Sequence, residues 1–421
     1  MPHLPHTAYF KPAIFRVFVF LASCSVLTSD TVAQQGDGPM IARLEMRLAI
    51  DDKVVDIIHK GDMVNVSEER PDGYVISTMS GARGIVEKAN LLKLAEAVEV
   101  YTELIESEPK VGQYYTLRAS SLWARGENEK ALADYDRAIE LGYAEPHAFS
   151  SRGLFHAAMG NFSEAIADYT TAIEKQKKAG DDDESPYLNR AAVYVTQKKP
   201  DLAIADYNAA IQLKPRNASI HQQRAVAYKM AGRFEEAILD FERAVELQPT
   251  NTAAWMGRGF LWFQLDEHQK AIADFSRVIE LEPNTAAAYN NRGFNYKEIG
   301  EWEKALADYD KALELFPKYA LALQNKAWLL TTCTDKQLRN ATQAISAARL
   351  ACELNNFNHV PDLMTLAAAL AESGNFKEAI GWQEKVIEMT EGEQKKFAEK
   401  VYAAYKQEQT FDVIQEETVE P

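Results

Sequence analysis

The stretch "EWEKALADYDKALEL" at 301–315 restates "ENEKALADYDRAIEL" at 127–141, with twelve of fifteen positions identical. Four variants lie between the two copies: "NFSEAIADYTTAIEK" (161–175), "KPDLAIADYNAAIQL" (199–213), "RFEEAILDFERAVEL" (233–247) and "EHQKAIADFSRVIEL" (267–281). Counted from Ala131, Ala165, Ala203, Ala237, Ala271 and Ala305, the steps are 34, 38, 34, 34 and 34. The four additional residues are "GDDD" at 180–183, between two units. A fixed period of this length marks a repeat array, because each unit buries its apolar face against the next.

From residue 94 onward the apolar spacing follows the 3.6-residue helical period. In the unit 286–319, Tyr289, Arg292, Gly293 and Tyr296 fall on a first helix, and Gly300 makes the turn. Ala305, Tyr309 and Ala312 fall on a second helix, which Pro317 stops. Large aromatics facing small residues are what two adjacent helices need in order to approach closely. This pattern resembles the tetratricopeptide repeat, in register six times. The resemblance implies a mainly α protein, a right-handed α-solenoid of about eight units. They are 112–145, 146–179, 184–217, 218–251, 252–285, 286–319, 320–357 and 360–393. The seventh departs through its inter-helix turn "TTCTDKQLRN", which is about five residues longer than the others. Upstream, Ala97, Tyr101, Leu104 and Pro109 match only a second helix, so 94–111 reads as a bridging helix. Downstream, 394–411 reads as the terminal capping helix that a solenoid requires, and 412–421 as a disordered acidic tail.

Residues 40–93 alternate short β-branched runs with turn signals at Lys60-Gly61-Asp62, Pro71-Asp72-Gly73, Ser80-Gly81 and Arg83-Gly84. The order of these signals resembles the bacterial SH3-like domain, a small all-β barrel. Proline-rich recognition needs an aromatic-lined groove, and this region holds one aromatic, Tyr74. A cap, or a weak peptide- or wall-binding module, is the expected role.

Residues 1–33 read as an export signal, with Lys11 and Arg16 before the apolar run 17–27 and small residues Thr31-Val32-Ala33 for cleavage. Leu21-Ala22-Ser23-Cys24 offers a competing lipoprotein reading with an anchor at Cys24. Only residues 17–20 separate Arg16 from that box, so cleavage near Ala33 is the reading adopted, with 34–39 as a linker. The apolar run is too short to span a bilayer, which takes about 20 residues. The expected protein is exported, to the periplasm or envelope or outside the cell, with no transmembrane segment in the mature chain.

The net charge is −16, of which 94–421 carries −15. An array that acidic repels phosphate backbones, so nucleic acid is excluded as the expected partner. Among the chemical motifs, the chain shows no phosphate-binding Gly loop, HExxH, CxxC pair or GxSxG. His147, His156 and His221 are too far apart to read as a ligand set. No catalytic residue, cofactor or metal site is expected. Cys333 follows a first helix and Cys352 closes a second, about 18 Å along it. That separation is beyond disulfide reach, so both are expected to be buried free thiols.

Two constellations remain. Arg and Asp recur sixteen residues apart in Arg118/Asp134, Arg152/Asp168, Arg190/Asp206, Arg224/Asp240, Arg258/Asp274 and Arg292/Asp308. In the seventh and eighth units Lys326 stands against Ala347 and Leu366 against Trp382, so the two partners disappear together. Either the arginines form an anion-binding row, or each pair is a structural bridge between helices. The second constellation follows from the resemblance, which places the second, fifth, ninth and twelfth positions of each first helix on a concave groove. Here these are Leu154, Leu188, Val195, Val226, Met256, Phe260, Phe263, Phe294 and Trp328, alongside Gln222, Lys229, Asn290 and Lys297. Chaperone-type carboxylate clamps use more basic groups than this. A contiguous apolar surface marks a partner site; the alternative is that neighbouring units bury these side chains. The expected function is a non-enzymatic, exported adaptor holding a protein or peptide in that groove. The alternative is an accessory subunit of an envelope enzyme for cell-wall or polysaccharide processing.

Overall fold

The computed structural model describes residues 40–411 other than 51, 52, 79, 80, 144 and 145. The export signal, Cys24, the 34–39 linker and the 412–421 tail lie outside the described residues. These residues form two compact units, one running to Arg233 and one from Phe234 onward.

The first unit opens with seven strands. β1 (Met40–Ala42) pairs between β4 (Met63–Arg70) and β7 (Leu91–Leu92), and β5 (Gly73–Ser77) and β6 (Arg83–Val86) extend the sheet beyond β4. β2 (Met46–Ile50) and β3 (Lys53–Ile58) form a separate hairpin. All seven strands contribute to one core of Met40, Ala42, Leu48, Ile58, Val64, Ile76, Val86 and Leu91. Leu48 reaches that core because Gly84 has no side chain; a Cβ there would stand 2.4 Å from a Leu48 methyl. Among the described residues the two sheets are not joined by strand pairing, so they do not close into a ring.

Side chains alternate across a strand. Ile41, between two residues of that core, therefore points the other way, into a second core with Ala97 and Tyr101. Tyr101 lies on α1 (Val98–Ser107), and Met63, Leu104 and Leu117 of α2 (Gly112–Ala124) pack around it. Its hydroxyl donates to the Gly61 carbonyl at 3.0 Å, and burial pushes its pKa well above the usual tyrosine value. Gly61 has φ +88°, and a Cβ on it would come within 2.7 Å of Leu104. The strand region and the first helices thus share apolar core.

Helices then follow in pairs. The first unit contains α2 with α3 (Asn128–Glu140), α4 (Pro146–Ala158) with α5 (Phe162–Ala179), α6 (Ser185–Thr196) with α7 (Pro200–Leu213), and α8 (Ala218–Met230). The second contains α9 (Phe234–Leu247), α10 (Thr252–Gln264) with α11 (His268–Leu281), and α12 (Ala286–Glu298) with α13 (Trp302–Leu315). After these come α14 (Ala320–Thr332) with α15 (Ala341–Leu354), α16 (Val360–Glu372) with α17 (Phe376–Glu388), and α18 (Gly392–Lys406).

The repeated residues explain the pairing. Tyr135, Tyr169, Tyr309 and Phe275 are fully buried on second helices, at the same repeat position. Opposite them the first helix carries Gly153, Gly259, Gly293 or a buried Ala119. At Gly293 a Cβ would already stand 3.0 Å from the Tyr309 ring. The turn between helices needs a left-handed residue, which Gly300 supplies at φ +78°. Lys198 and Asp266 take that conformation at φ +56° and +60° although neither is glycine. Successive units are also joined at their ends. Tyr115, His221 and Trp255, each fourth in its unit, donate to the carbonyls of Pro109, Pro215 and Pro249 at 3.2, 3.1 and 3.0 Å.

At the C-terminal end the helix is shorter than 394–411 at its far end, stopping at Lys406. Glu408 adopts φ +55° and turns the chain back. The sequence carries no glycine there to signal the stop. Cys333 and Cys352 are free and buried, and burial pushes the Cys352 thiol up to about 12.

Candidate functional site

The Arg–Asp series is a set of two-way bridges. Nε and Nη2 of Arg292 donate to the two Asp308 oxygens at 2.8 Å each. The same bidentate contact joins Arg118 to Asp134, Arg152 to Asp168, Arg190 to Asp206 and Arg258 to Asp274, at 2.6–2.9 Å. The remaining nitrogen, Nη1, reaches backward to the second helix of the preceding unit. It meets Thr102 from Arg118, Asp136 from Arg152, Thr170 from Arg190, Asn208 from Arg224 and Ser276 from Arg292, at 2.6–3.3 Å. Lys326 keeps that backward contact alone, to Asp310 at 2.6 Å. Except for Thr102, which follows Val100, the acceptor lies two residues beyond the Asp of its unit, a signal the sixteen-residue spacing did not include. Arg224 and Asp240 lie in different compact units.

Hydrogen bonding to the carboxylate holds the guanidinium pKa of Arg118, Arg152, Arg190 and Arg292 above its ordinary value. At Asp274 burial prevails over the pull of Arg258 and raises the carboxyl. With all three donor nitrogens of Arg118, Arg152, Arg190 and Arg292 bonded inside the protein, these residues act as bridges between helices.

The nine groove candidates are all half-buried, none fully exposed and none fully buried. Leu154 (α4), Leu188 and Val195 (α6) and Val226 (α8) belong to the first unit; Leu188 and Val195 lean on a core containing Tyr187, Tyr207 and Ile220. The other five belong to the second unit. There, Phe263 meets Phe260 at 5.9 Å between ring centroids and Phe294 edge-on at 5.2 Å. Lys297 lies 4.1 Å from the Phe294 ring centre, a favourable cation–π distance. Met256, on the same helix as Phe260, accepts from the Asn291 amide at 3.8 Å through its sulfur. Polar side chains link the same row of first helices: Asn325 donates to Asn290 at 2.9 Å, and Gln324 to Thr365 at 3.1 Å. Both asparagines are buried, Asn290 at 1% and Asn325 at 5% exposure, so they position helices rather than face solvent. Trp328 is set apart from the other four. Its ring packs on Phe411 at 5.0 Å, within the C-terminal core.

Among the described residues no group of three or more His, Cys, Asp or Glu could hold a metal ion. No described helix is long and apolar enough to cross a membrane.

Comparison with known proteins accords with this geometry. Models described as tetratricopeptide repeat match residues 218–251 and 286–319, 88–146 and 363–392, and one described as TPR repeat matches 191–232. The chain carries tetratricopeptide repeats at these residues. A Schizosaccharomyces pombe protein, DnaJ homolog subfamily C member 7 homolog, is 24% identical over 132 residues, 28% of this chain and 27% of its own. Human tetratricopeptide repeat protein 6 is 28% identical over 133 residues, 32% of this chain and 25% of its own. The chain therefore spans about a quarter of the length of these relatives. The C-terminal part of a TPR repeat-containing protein from Cytophaga hutchinsonii is similar in fold. Its TM-score is 0.50 at 19% identity, over 58% of this chain and 96% of that one.

Proposed function

We propose that this protein is an exported, non-enzymatic adaptor that binds an apolar segment of a protein partner along its first helices. The contact is centred on Met256, Phe260, Phe263 and Phe294. The observation carrying this is the contrast in those helices. Their opposite face is closed by bridges and aromatic–glycine packing, while this face presents a cluster of large apolar rings that are only half-buried. Helical or extended segments bind such grooves through a few apolar anchors. Export rests on the charged, then apolar, then small-residue order of 1–33. We take residues 40–93 to be an SH3-like module, because strands of two sheets enclose one core. Its shared core with α1 supports a capping role.

The test is capture from an envelope extract by the intact mature protein and by the double variant Phe260→Ser, Phe294→Ser. Specific capture by the first and none by the second, at equal helical content, is the expected result. Equal capture by both would refute the groove assignment.

A further inference from the structure

The chain after α18 returns to the array. The N–H of Gln409 bonds the Ala404 carbonyl at 3.1 Å, and Glu408 holds its left-handed backbone. That conformation costs a non-glycine residue about 1 kcal/mol, offset by the Gln409 bond and by the packing of the chain beyond it. The reversal delivers Phe411, only 3% exposed. The Phe411 ring meets Trp328 edge-on at 5.0 Å and Phe397 at 6.3 Å.

Trp328 is the ninth residue of its first helix, the repeat position held by Phe260 and Phe294 in the two preceding units. Phe260 and Phe294 meet Phe263 from the same row of first helices. Trp328 is instead met by a ring from the end of the chain. An aromatic side chain seated on an aromatic groove position is the chemistry expected of a bound partner segment.

We infer that Phe411 is a built-in occupant of the groove, seated on Trp328 and competing with an incoming apolar segment for the C-terminal end of the site. This rests on the groove reading proposed above. A segment tethered through a short linker acts at an effective concentration on the order of 1 mM. With an intrinsic affinity of about 100 μM it would fill its seat roughly nine-tenths of the time and weaken a competitor about tenfold. Phe411 also packs beside Ala398, Val401 and Tyr405 of the C-terminal core, and the opposing account gives it that structural role alone.

The probe is a fluorescein-labelled synthetic peptide of residues 406–421, titrated by anisotropy against the full-length chain. Three variants accompany the wild type: Phe411→Ala, Phe411→Leu, and Phe411→Ala with Trp328→Ala. The expected result is that Phe411→Ala keeps its helical signal and melting temperature and binds the peptide about tenfold more tightly than wild type. Phe411→Leu should restore part of the exclusion, and Trp328→Ala should remove the gain. Equal binding by wild type and Phe411→Ala, or a large fall in melting temperature in Phe411→Ala, overturns the inference. The groove reading fails on a different result, unchanged partner capture by Phe260→Ser, Phe294→Ser. Loss of capture there with no peptide effect here removes only the Phe411 inference.

Discussion

The first helices of this array carry two faces under different constraints. Toward the second helix, the first helices of 112–145, 146–179, 184–217, 252–285 and 286–319 repeat the same solution: glycine or alanine against a buried aromatic, and arginine against a buried aspartate. On the other face the same helices differ, with leucine and valine in the first unit and methionine and phenylalanine in the second. Packing at fixed separation tolerates little variation, so the shared face repeats. The other face is free to differ because nothing in the repeat fold needs a particular side chain there. Shared residues build the scaffold, and on the proposed reading the unshared ones distinguish partners.

The largest expected effect is on the shared face. Tyr309→Ala removes a fully buried ring between two helices and should cost about 3–5 kcal/mol, read as a shift in the urea midpoint. Arg292→Ala comes next. It leaves Asp308, with a side chain 8% exposed, without its bidentate partner, at a cost of roughly 2–3 kcal/mol. Asp308→Asn added to that variant should recover part of the loss. A cost below the error of the melt would mean that the bridges are decoration.

Alkaline titration tests the same face without mutation. Burial raises Tyr135 to about 12, and pushes Tyr169 and Tyr309 up as well. Raised values mean that the fold favours the protonated hydroxyls. Their contribution is therefore complete below about pH 10, the unfolded value, and is lost as pH rises through the folded values. Cys352, raised to about 12, adds a loss that begins near pH 9. Melting temperature should hold to about pH 9 and then fall steadily; a flat profile to pH 12 would contradict the burial. The smallest effect is at the turn. Lys198→Gly relieves a left-handed lysine and should stabilise by about 1 kcal/mol, while a loss would show that the lysine makes a contact worth more than its strain.

The array was legible in the sequence because its packing solution repeats. Six copies of Ala131-type, Tyr135-type and Arg118-type positions fix helices, turns and register without any comparison to another chain. The backward half of each bridge was not legible. It joins Arg292 to Ser276 or Arg190 to Thr170, and the acceptors share only polarity, so no single residue type recurs. The return of the chain at Glu408 was hidden for a similar reason, since its left-handed turn has no glycine. At the candidate site the positions could be named but their exposure could not. Whether Asn290 or Trp328 faces solvent depends on neighbours such as Asn325 and Phe411, which come from other helices.

The most direct measurement compares the two faces in one experiment. Arg292→Ala and the double variant Phe260→Ser, Phe294→Ser are each assayed for melting temperature and for partner capture at a temperature where both are folded. The account predicts a lower melting temperature with capture retained for Arg292→Ala. For the double variant it predicts near-native melting and a capture loss of about 2 kcal/mol or more, roughly thirtyfold or greater. The opposite pattern, capture lost with the arginine and kept without the two phenylalanines, would contradict the assignment of binding to the variable face.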